Sequence, residues 1–236
     1  MPSGVPPRYQ QIADELRQNI EKSVYQVGEQ LPTEADLSRR FDVNRHTLRR
    51  AIEILRHEGL LRVDRGRGTF VAATPITYAI GKRVRYNKML KAQGFTPTFQ
   101  QIRLLELPAD GSVAKHLAIS MGDPVVLFER LSLVDGAPLS LASSYFPIGL
   151  MPDIASHCEN YQSISQMMHD CYGFDHMRQS TRISARTVQS RDANYLRVSL
   201  SSPILLTESV NVNQLGDVIE YGVSRFRCDR MEIVFE

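Results

Sequence analysis

Arginine is concentrated in one short stretch of this chain of 236 residues. Between Arg39 and Arg67 there are nine arginines and four acidic residues, whereas the remainder is close to charge balance and the formal net charge is +2. A guanidinium is always charged, and its planar donors match a phosphate or the edge of a guanine. The distribution of charge therefore predicts a surface for a polyanion such as DNA.

Residues 44–57 are predicted to form the helix that displays these arginines. Asn44 is a favoured N-cap, and Gly59 can adopt the left-handed conformation that ends a helix. At about 100° per residue, four apolar residues share one side: Leu48, Ala51, Ile52 and Leu55. The other side is cationic, with Arg45, His46, Arg49, Arg50 and Arg56. The alternative interpretation is an ordinary solvated helix face.

Two helices precede this segment and a hairpin follows it. Residues 9–22 form one amphipathic helix, and Thr33 is a good N-cap for a short second helix that ends before Val43. Two alternating runs, 60–63 and 69–71, flank a glycine-rich tip and predict a basic β-hairpin. Three helices and a basic hairpin in this order predict a winged helix-turn-helix, whose third helix enters the major groove.

The predicted DNA contacts follow from these positions. Arg45 and Arg49 lie one helical turn apart and are expected to contact guanine or phosphate. Thr47 and the amides that begin the second helix are expected to bind phosphate, and the hairpin tip to reach the minor groove. The complete predicted set is Thr33, Glu34, Arg45, His46, Thr47, Arg49, Arg50, Arg65, Gly66 and Arg67.

Residues 8–71 resemble the DNA-binding domain of the GntR family of bacterial regulators. The motifs that carry the resemblance are Tyr9–Ala13, Gly28–Glu34, Val43–Ala51, Gly59–Leu61 and Gly66–Val71. The resemblance implies that Arg45, His46, Thr47, Arg49, Arg65 and Gly66 contact DNA. The chain departs from the pattern at Ala35, where many members carry a DNA-contacting arginine; whether Arg39 or Arg40 replaces that contact stays open.

The remainder of the chain is predicted to be a second domain of the α+β class with a mostly antiparallel sheet. Short connections and the hairpin sequence Asp135-Gly136 favour antiparallel pairing. The predicted helices are 82–93, 111–119, 163–171 and 192–198; the predicted strands are 98–107, 125–134, 138–146, 177–189, 204–212, 218–227 and 231–235. We therefore expect a winged helix-turn-helix domain over 8–73, a linker over 74–81, and an effector-binding and dimerisation domain over 82–236. The small residues and proline of 72–75 indicate the linker.

One predicted strand carries polar side chains at alternate positions: Arg178, Ser180, Arg182, Ser184 and Arg186. On a regular strand these residues share one face, where they present guanidinium and hydroxyl donors to a phosphoryl group. Three arginines on one face repel each other, and a dianion would relieve that repulsion. A solvent-facing polar strand is the alternative.

The second domain resembles the effector domain of the HutC branch of the GntR family, which shares its fold with chorismate lyase. The resemblance lies in Gly122–Pro124, Val134–Pro138, Ser143–Pro147, Glu220–Tyr221 and Arg225–Arg230, and residues 178–186 look most like regulators of phosphonate metabolism. It implies that Arg130, Ser143, Ser144, Tyr145, Glu220 and Phe226 line the effector pocket. Ser132 and Phe226 stand where relatives that bind sugar phosphates carry arginine and tyrosine, so a different anion is expected.

We therefore expect a repressor that binds an inverted repeat in double-stranded operator DNA as a homodimer and is released by a small phosphonate or phosphate ester. The alternatives are an enzyme of chorismate-lyase-like fold, a sensor of another metabolite, and a second domain that only dimerises. No nucleophile-base pair or metal-ligand spacing surrounds His157, His169 or His176, so no enzyme activity, cofactor or metal is predicted.

Composition supports the same class of protein. The three cysteines are widely spaced and predict reduced thiols rather than disulfides or a zinc site. No apolar run is long enough for a membrane helix, and the first residues lack the pattern of a secretory signal, so a cytoplasmic protein is expected.

Overall fold

The computed structural model describes residues 6–64, 66–72 and 75–235. The chain divides into two compact units, Met1–Pro75 and Ile76–Glu236. Among the described residues, no helix is long and apolar enough to cross a membrane.

The first unit has the predicted order of three helices and a hairpin. Thr33 and Asn44 cap the second and third helices through their side-chain oxygens, as predicted. Gly59 has a φ of +74°, the left-handed conformation expected after the third helix. The elements are α1 (Arg8–Glu21), α2 (Glu34–Phe41), α3 (Arg45–His57), β1 (Leu61–Asp64) and β2 (Gly68–Val71).

The core of this unit forms where the apolar faces of the three helices meet the hairpin. Leu16 of α1, Leu37 of α2 and Leu48 of α3 are buried together with Val71 of β2. The apolar side of α3 is buried as its periodicity predicts, which leaves its arginines on the outer side. Local sequence periodicity thus determines which face of α3 is available for binding.

The described residues of the second unit form a six-stranded sheet, a separate two-stranded sheet and five short helices. Its strands are β3 (Ile76–Ile80), β4 (Pro97–Pro108), β5 (Pro124–Val134), β6 (Ala137–Pro147), β7 (Met177–Thr187), β8 (Pro203–Val212), β9 (Val218–Arg227) and β10 (Met231–Phe235). Its helices are α4 (Tyr86–Ala92), α5 (Gly111–Leu117), α6 (Ile154–Cys158), α7 (Ile164–Tyr172) and α8 (Ser190–Leu196). The predicted α+β class is confirmed.

Six strands form an antiparallel sheet in the order β4-β5-β6-β9-β8-β7. The β5–β6 turn has positive φ at both Asp135 and Gly136, the geometry that suits a two-residue hairpin. Helices α5 and α8 cover one face through Val125 and Leu141 respectively. On the opposite face, α6 and α7 pack on Phe128, while β3, β10 and α4 surround Phe226.

The predicted linker over 74–81 is wrong for most of its length. Residues 76–80 form β3, which pairs in parallel with β10, so they belong to the second unit. The strand was not predicted, because Ile76, Tyr78 and Ile80 form only a short alternating run. The small residues and proline of 72–75 beside it indicated a linker. Ala73 and Thr74 lie outside the described residues. Helix α6 was also not predicted.

Candidate functional site

The start of α3 combines several features that attract an anion. Asn44 Oδ1 accepts hydrogen bonds from the backbone N–H and the hydroxyl of Thr47, at 2.8 and 3.0 Å. Arg45 and His46 are exposed in a first turn that contains no acidic residue. Cationic side chains therefore coincide with the positive end of the helix dipole and with its unbonded N–H groups. This is an arrangement that binds phosphate.

Two further arginines of α3 have partners within the unit. Arg49 Nε lies 3.0 Å from Glu34 Oε2 in an exposed ion pair, and the guanidinium of Arg50 lies 3.9 Å from the centre of the Tyr9 ring. An exposed ion pair contributes only ~0–1 kcal/mol, so phosphate can replace Glu34 at little cost. Arg45 can thus bind a phosphate directly, whereas Arg49 must first release Glu34.

The hairpin tip is shaped by its glycines and by one glutamine. Gly66 has a φ of +78° and Gly68 a φ of +119°. A Cβ on Gly68 would lie 2.4 Å from Gln30 Nε2, which donates a hydrogen bond to the carbonyl of Arg67 at 2.8 Å. Glycine at position 68 thus allows Gln30 to hold the tip, with Arg67 exposed. Arg65 lies outside the described residues.

The start of α2 is less suited to phosphate binding than its sequence predicts. Thr33 Oγ1 accepts the Asp36 N–H at 3.2 Å and donates to its carboxylate, and Glu34 adds a second acid to this turn. Two carboxylates repel a phosphate. Of the candidates to replace the arginine missing at position 35, Arg40 is bonded to Tyr25 and Glu15, and Arg39 is exposed beside Asp36.

A cavity of about 580 Å³ lies within the second unit, on the sheet face that α4 and α7 cover. Its charged lining is mostly positive: Arg85, Lys88, Arg130 and Arg178 contribute cations, and Glu220 is the one carboxylate among the described lining residues. Serine and threonine hydroxyls contributed by β5, β6, β8 and β9 complete its floor. A small anion with polar substituents matches this lining in charge and hydrogen bonding.

Arg130 is held between two rings and a carbonyl. Its guanidinium lies 4.9 Å from the centre of the Phe99 ring and 5.0 Å from that of Phe128, and Nη1 donates to the carbonyl of Gln162 at 2.9 Å. Burial lowers the pKa of Arg130, although the charge of Glu220 opposes that shift. A partly desolvated guanidinium in a fixed position gains more from an incoming anion than an exposed one does.

Arg178 connects the cavity to β3. Its Nη1 donates to the carbonyl of Gly81 at 2.6 Å, and its Nη2 donates to the Tyr78 hydroxyl at 2.9 Å. Its Nε is buried and has no hydrogen-bond partner among the described residues. The Nε–H of this cavity-lining cation thus remains for a ligand, while Nη1 and Nη2 each donate one hydrogen bond to the first strand of the unit or the residue that follows it.

Glu220 is buried and held as a carboxylate. It accepts hydrogen bonds from His176 Nε2 and Asn211 Nδ2, both at 2.7 Å. Burial alone would raise the pKa of Glu220, but the charge and hydrogen bond of His176, with hydrogen bonds from Ser144 and Asn211, lower it to about 2. Negative charge is therefore permanent at this wall of a cavity whose other charged groups are basic.

Comparison with known proteins identifies the protein family to which both regions of the chain correspond. Residues 8–71 match the family described as "Bacterial regulatory proteins, gntR family", and residues 92–232, more than half of the chain, match the UTRA domain. The chain belongs to the GntR family. It is a transcriptional regulator of the UTRA-containing, HutC-like type, and its relatives are regulators rather than enzymes.

Three relatives of this GntR-family regulator align over nearly its whole length. It is 34% identical to the probable transcriptional regulator PhnF of Escherichia coli K12, over 100% of this chain and 97% of that protein. It is 27% identical to the transcriptional repressor NagR of Bacillus subtilis, over 97% and 93%. The crystal structure of PhnF from Mycobacterium smegmatis aligns with a TM-score of 0.68 and 26% identity, over 95% of this chain and 98% of that one.

Three side chains in the cavity are connected like the catalytic triad of a hydrolase. His176 Nδ1 lies 3.0 Å from Ser165 Oγ, and Nε2 faces Glu220. However, Ser165 donates its proton to the carbonyl of Val84 at 2.8 Å, so the histidine cannot accept it. In this regulator the three residues tie α7 to β9. The Cys158 thiol nearby is buried, which raises its pKa to about 12 and keeps it protonated.

The GntR-family fold brings together five of the predicted effector residues and separates six. Arg130, Ser144, Arg178, Glu220 and Phe226 line the cavity. Ser143 and Tyr145 lie on the opposite face of β6, where Ser143 bonds to Glu129 and Tyr145 stacks on Tyr221. The strand residues that do not line the cavity are Ser180, Arg182, Ser184 and Arg186.

The expectation that Arg178, Arg182 and Arg186 share one face is wrong. A register shift lies between Arg178 and Ser180, so that Arg178 pairs with Asn211 and Ser180 with Val210. The extra residue, Gln179, reverses the alternation. Arg178 and Thr181 therefore line the cavity, while Arg182 faces away from it and is exposed.

Several lining residues were not predicted. Tyr86 hydrogen-bonds to Ser132 and Ser140, at 3.1 and 3.2 Å, so Ser132 holds a ring where sugar-phosphate-binding relatives are expected to carry arginine. His176 gives no local sequence signal, since it precedes a strand. Asn211 was detectable, because Thr207, Ser209 and Asn211 place polar side chains at alternate positions of β8.

Proposed function

We propose that this regulator is a repressor that binds an inverted repeat in operator DNA as a homodimer and releases it when a small anion, a phosphonate or phosphate ester, enters the cavity of its second unit. The observation that carries the proposal is the charge of that cavity, in which three arginines and one lysine face a single carboxylate among the described lining residues. The phosphonate class is supported by full-length similarity to a protein named PhnF, and the repressor role by similarity to the repressor NagR.

The DNA contacts are proposed for the outer side of α3 and for the hairpin. Arg45, His46, Thr47 and Arg49 would contact bases and phosphates in the major groove, with Arg50 resting on Tyr9 and supporting the same surface. Arg67 and Gly66, with Arg65, would approach the minor groove. One recognition helix covers only a few base pairs, so two copies on a two-fold repeat supply the specificity that an operator requires. Binding to chromosomal DNA would place the protein in the cytoplasm.

The anion would bind between Arg130 and Arg178, which approach the cavity from β5 and β7. Ser144 and the neighbouring hydroxyls are further donors. Arg85 and Lys88, from α4 and the residue before it, are partly or fully exposed and would attract the anion to the entrance. Because the guanidinium groups are held by carbonyls and rings before the ligand arrives, little ordering cost remains at binding.

Arg178 provides the proposed route from the cavity to the DNA-binding unit. It holds Tyr78 and Gly81, which flank the end of β3, and β3 directly follows Pro75, the last residue of the first unit. A ligand that draws the guanidinium toward its own oxygens competes with these two bonds. The attachment of β3, the strand that leads to the DNA-binding unit, would then change. The ligand would bind the two forms of the protein with different affinities, as any switch requires.

The proposal is tested with the full chain. DNA selected from a random duplex pool should contain an inverted repeat, and sedimentation should show two protein chains per duplex. Methylphosphonate, 2-hydroxyethylphosphonate or glycerol phosphate should then weaken binding in fluorescence anisotropy, whereas neutral glycerol should not. Selection of an asymmetric single half-site would contradict the dimer, and equal DNA affinity with and without every anion would contradict the anionic effector.

A further inference from the structure

Asn211 has one satisfied and one unsatisfied polar atom in the wall of the cavity. It lies in β8 with 4% of its surface exposed and lines the cavity. Its amide nitrogen donates to Glu220 Oε2 at 2.7 Å. Its Oδ1 is buried and accepts no hydrogen bond from any described residue.

The orientation of this amide is determined by its neighbour. Glu220 is ionised and accepts hydrogen bonds without donating any. Rotating the Asn211 amide would place two acceptors face to face and lose the bond at Nδ2, so Oδ1 must be the atom that remains without a partner. The cavity therefore presents a buried acceptor as well as cations.

No donor of the described neighbouring residues bonds to Asn211 Oδ1. Arg178, its partner across the β7–β8 ladder, uses Nη1 and Nη2 on Gly81 and Tyr78. Thr181 and Ser209, the neighbouring pair on the same face, hydrogen-bond to each other at 2.9 Å. His176 contacts Ser165 and Glu220. Since none of these neighbours donates to Oδ1, the occupant of the cavity is left to supply its partner.

We infer that the effector carries a hydrogen-bond donor, a hydroxyl or an ammonium group, in addition to its anionic group, and that Asn211 Oδ1 accepts this donor while Arg178 Nε and Arg130 receive the anion. The inference rests on the proposed function, since it assigns the second half of the same ligand. An anion with only an alkyl substituent leaves Asn211 unpaired, and a site with an unpaired buried polar group discriminates strongly against such a ligand.

The test compares three probes of similar size that share one phosphonate group: 2-hydroxyethylphosphonate, 2-aminoethylphosphonate and propylphosphonate. Calorimetry on the full chain, at a pH at which each phosphonate is a dianion, should show that the hydroxyl or the amino compound binds at least about 10-fold more tightly than the propyl compound, because only the first two then carry a donor for Asn211. The tighter of the two identifies the donor. In Asn211→Leu the preference of the hydroxyl or amino compound over propylphosphonate should fall to about onefold.

Each outcome separates this inference from the proposed function. Equal affinity for all three probes in the wild-type chain would overturn the inference and leave the anion site intact. Binding of none of them would overturn the proposed phosphonate site and the inference together. A preference that persists in folded Asn211→Leu would assign the donor to another residue and contradict the inference. If that variant does not fold, Asn211→Ala, which also removes the acceptor oxygen, must lose the preference, and a preference that persists there would contradict the inference equally.

Discussion

The arginines of the two units differ in their surroundings. Arg45 is exposed at the start of α3, and Arg49 has a solvent-exposed ion pair. Arg130 and Arg178 line a cavity and are held by carbonyls, a tyrosine hydroxyl and aromatic rings. The proposed function thus assigns the same type of side chain to a long, hydrated polyanion in one unit and to a small, enclosed anion in the other.

This difference predicts different physical behaviour. Exposed charges are screened within about 8–10 Å at physiological salt, so binding at α3 should depend steeply on ionic strength. Charges in the cavity are screened much less, and their fixed positions select ligand shape as well as charge. Removal of a cavity arginine should therefore cost more than removal of one on α3.

The largest expected effect is on ligand binding by the cavity. Arg130→Ala and Arg178→Ala should each weaken the binding of 2-hydroxyethylphosphonate about 100-fold, because each leaves a desolvated anion without its partner. Calorimetry on the full chain measures this. Arg182→Ala is the matched control, since Arg182 lies on the same strand, is exposed and faces away from the cavity; its affinity should equal that of the wild type.

The second expected effect concerns the stability of the cavity wall. The pKa of Glu220 is about 2 in the folded protein, below its unfolded value near 4.5, so its contribution to stability is complete above about pH 5 and is lost as the pH falls toward 2. Glu220→Gln lacks this contribution of up to ~3 kcal/mol. Calorimetric melting should show that the gap between wild type and variant narrows on acidification. Exposed Glu159→Gln is the control, and a gap that does not change with pH would contradict the buried carboxylate.

The smallest expected effect is on DNA. Arg45→Ala should weaken operator binding about 10-fold, and Arg49→Ala less, because binding by Arg49 includes the loss of its pair with Glu34. Fluorescence anisotropy at several salt concentrations measures both. If Arg45 contacts phosphate, the slope of log affinity against log salt decreases by about 1. Exposed Lys115→Ala in the other unit controls for net charge; an equal loss there would remove α3 from the recognition role.

The first unit was largely predictable because its structure is encoded locally. Caps at Thr33 and Asn44, the apolar side of α3 and the glycines of the hairpin each act within a few residues. Partners remote in sequence were not visible. Glu34 for Arg49, Tyr9 for Arg50 and Gln30 for Gly68 are separated by 15 or more residues, and they decide how each side chain is presented.

The cavity was predictable in class but not in detail. Resemblance indicated an anion pocket and named Arg130, Ser144 and Glu220, which do line the cavity. Strand alternation then failed at Gln179, because a single extra residue reverses every side chain on one side of a bulge. The fold also brings β3, a segment assigned to the linker, against Arg178. Contacts of this kind depend on pairing between distant strands.

The most direct test of the central account is whether Arg178 couples the cavity to DNA binding. Operator affinity is measured by anisotropy with and without saturating 2-hydroxyethylphosphonate, in the wild-type chain, in Arg178→Ala and in Arg182→Ala. The account predicts that ligand releases the wild type and Arg182→Ala, and that Arg178→Ala, which lacks the bonds to Gly81 and Tyr78 that the ligand is proposed to disrupt, binds operator weakly with or without ligand. Wild-type operator affinity of Arg178→Ala without ligand, or no release of the wild type by any anion, would contradict it.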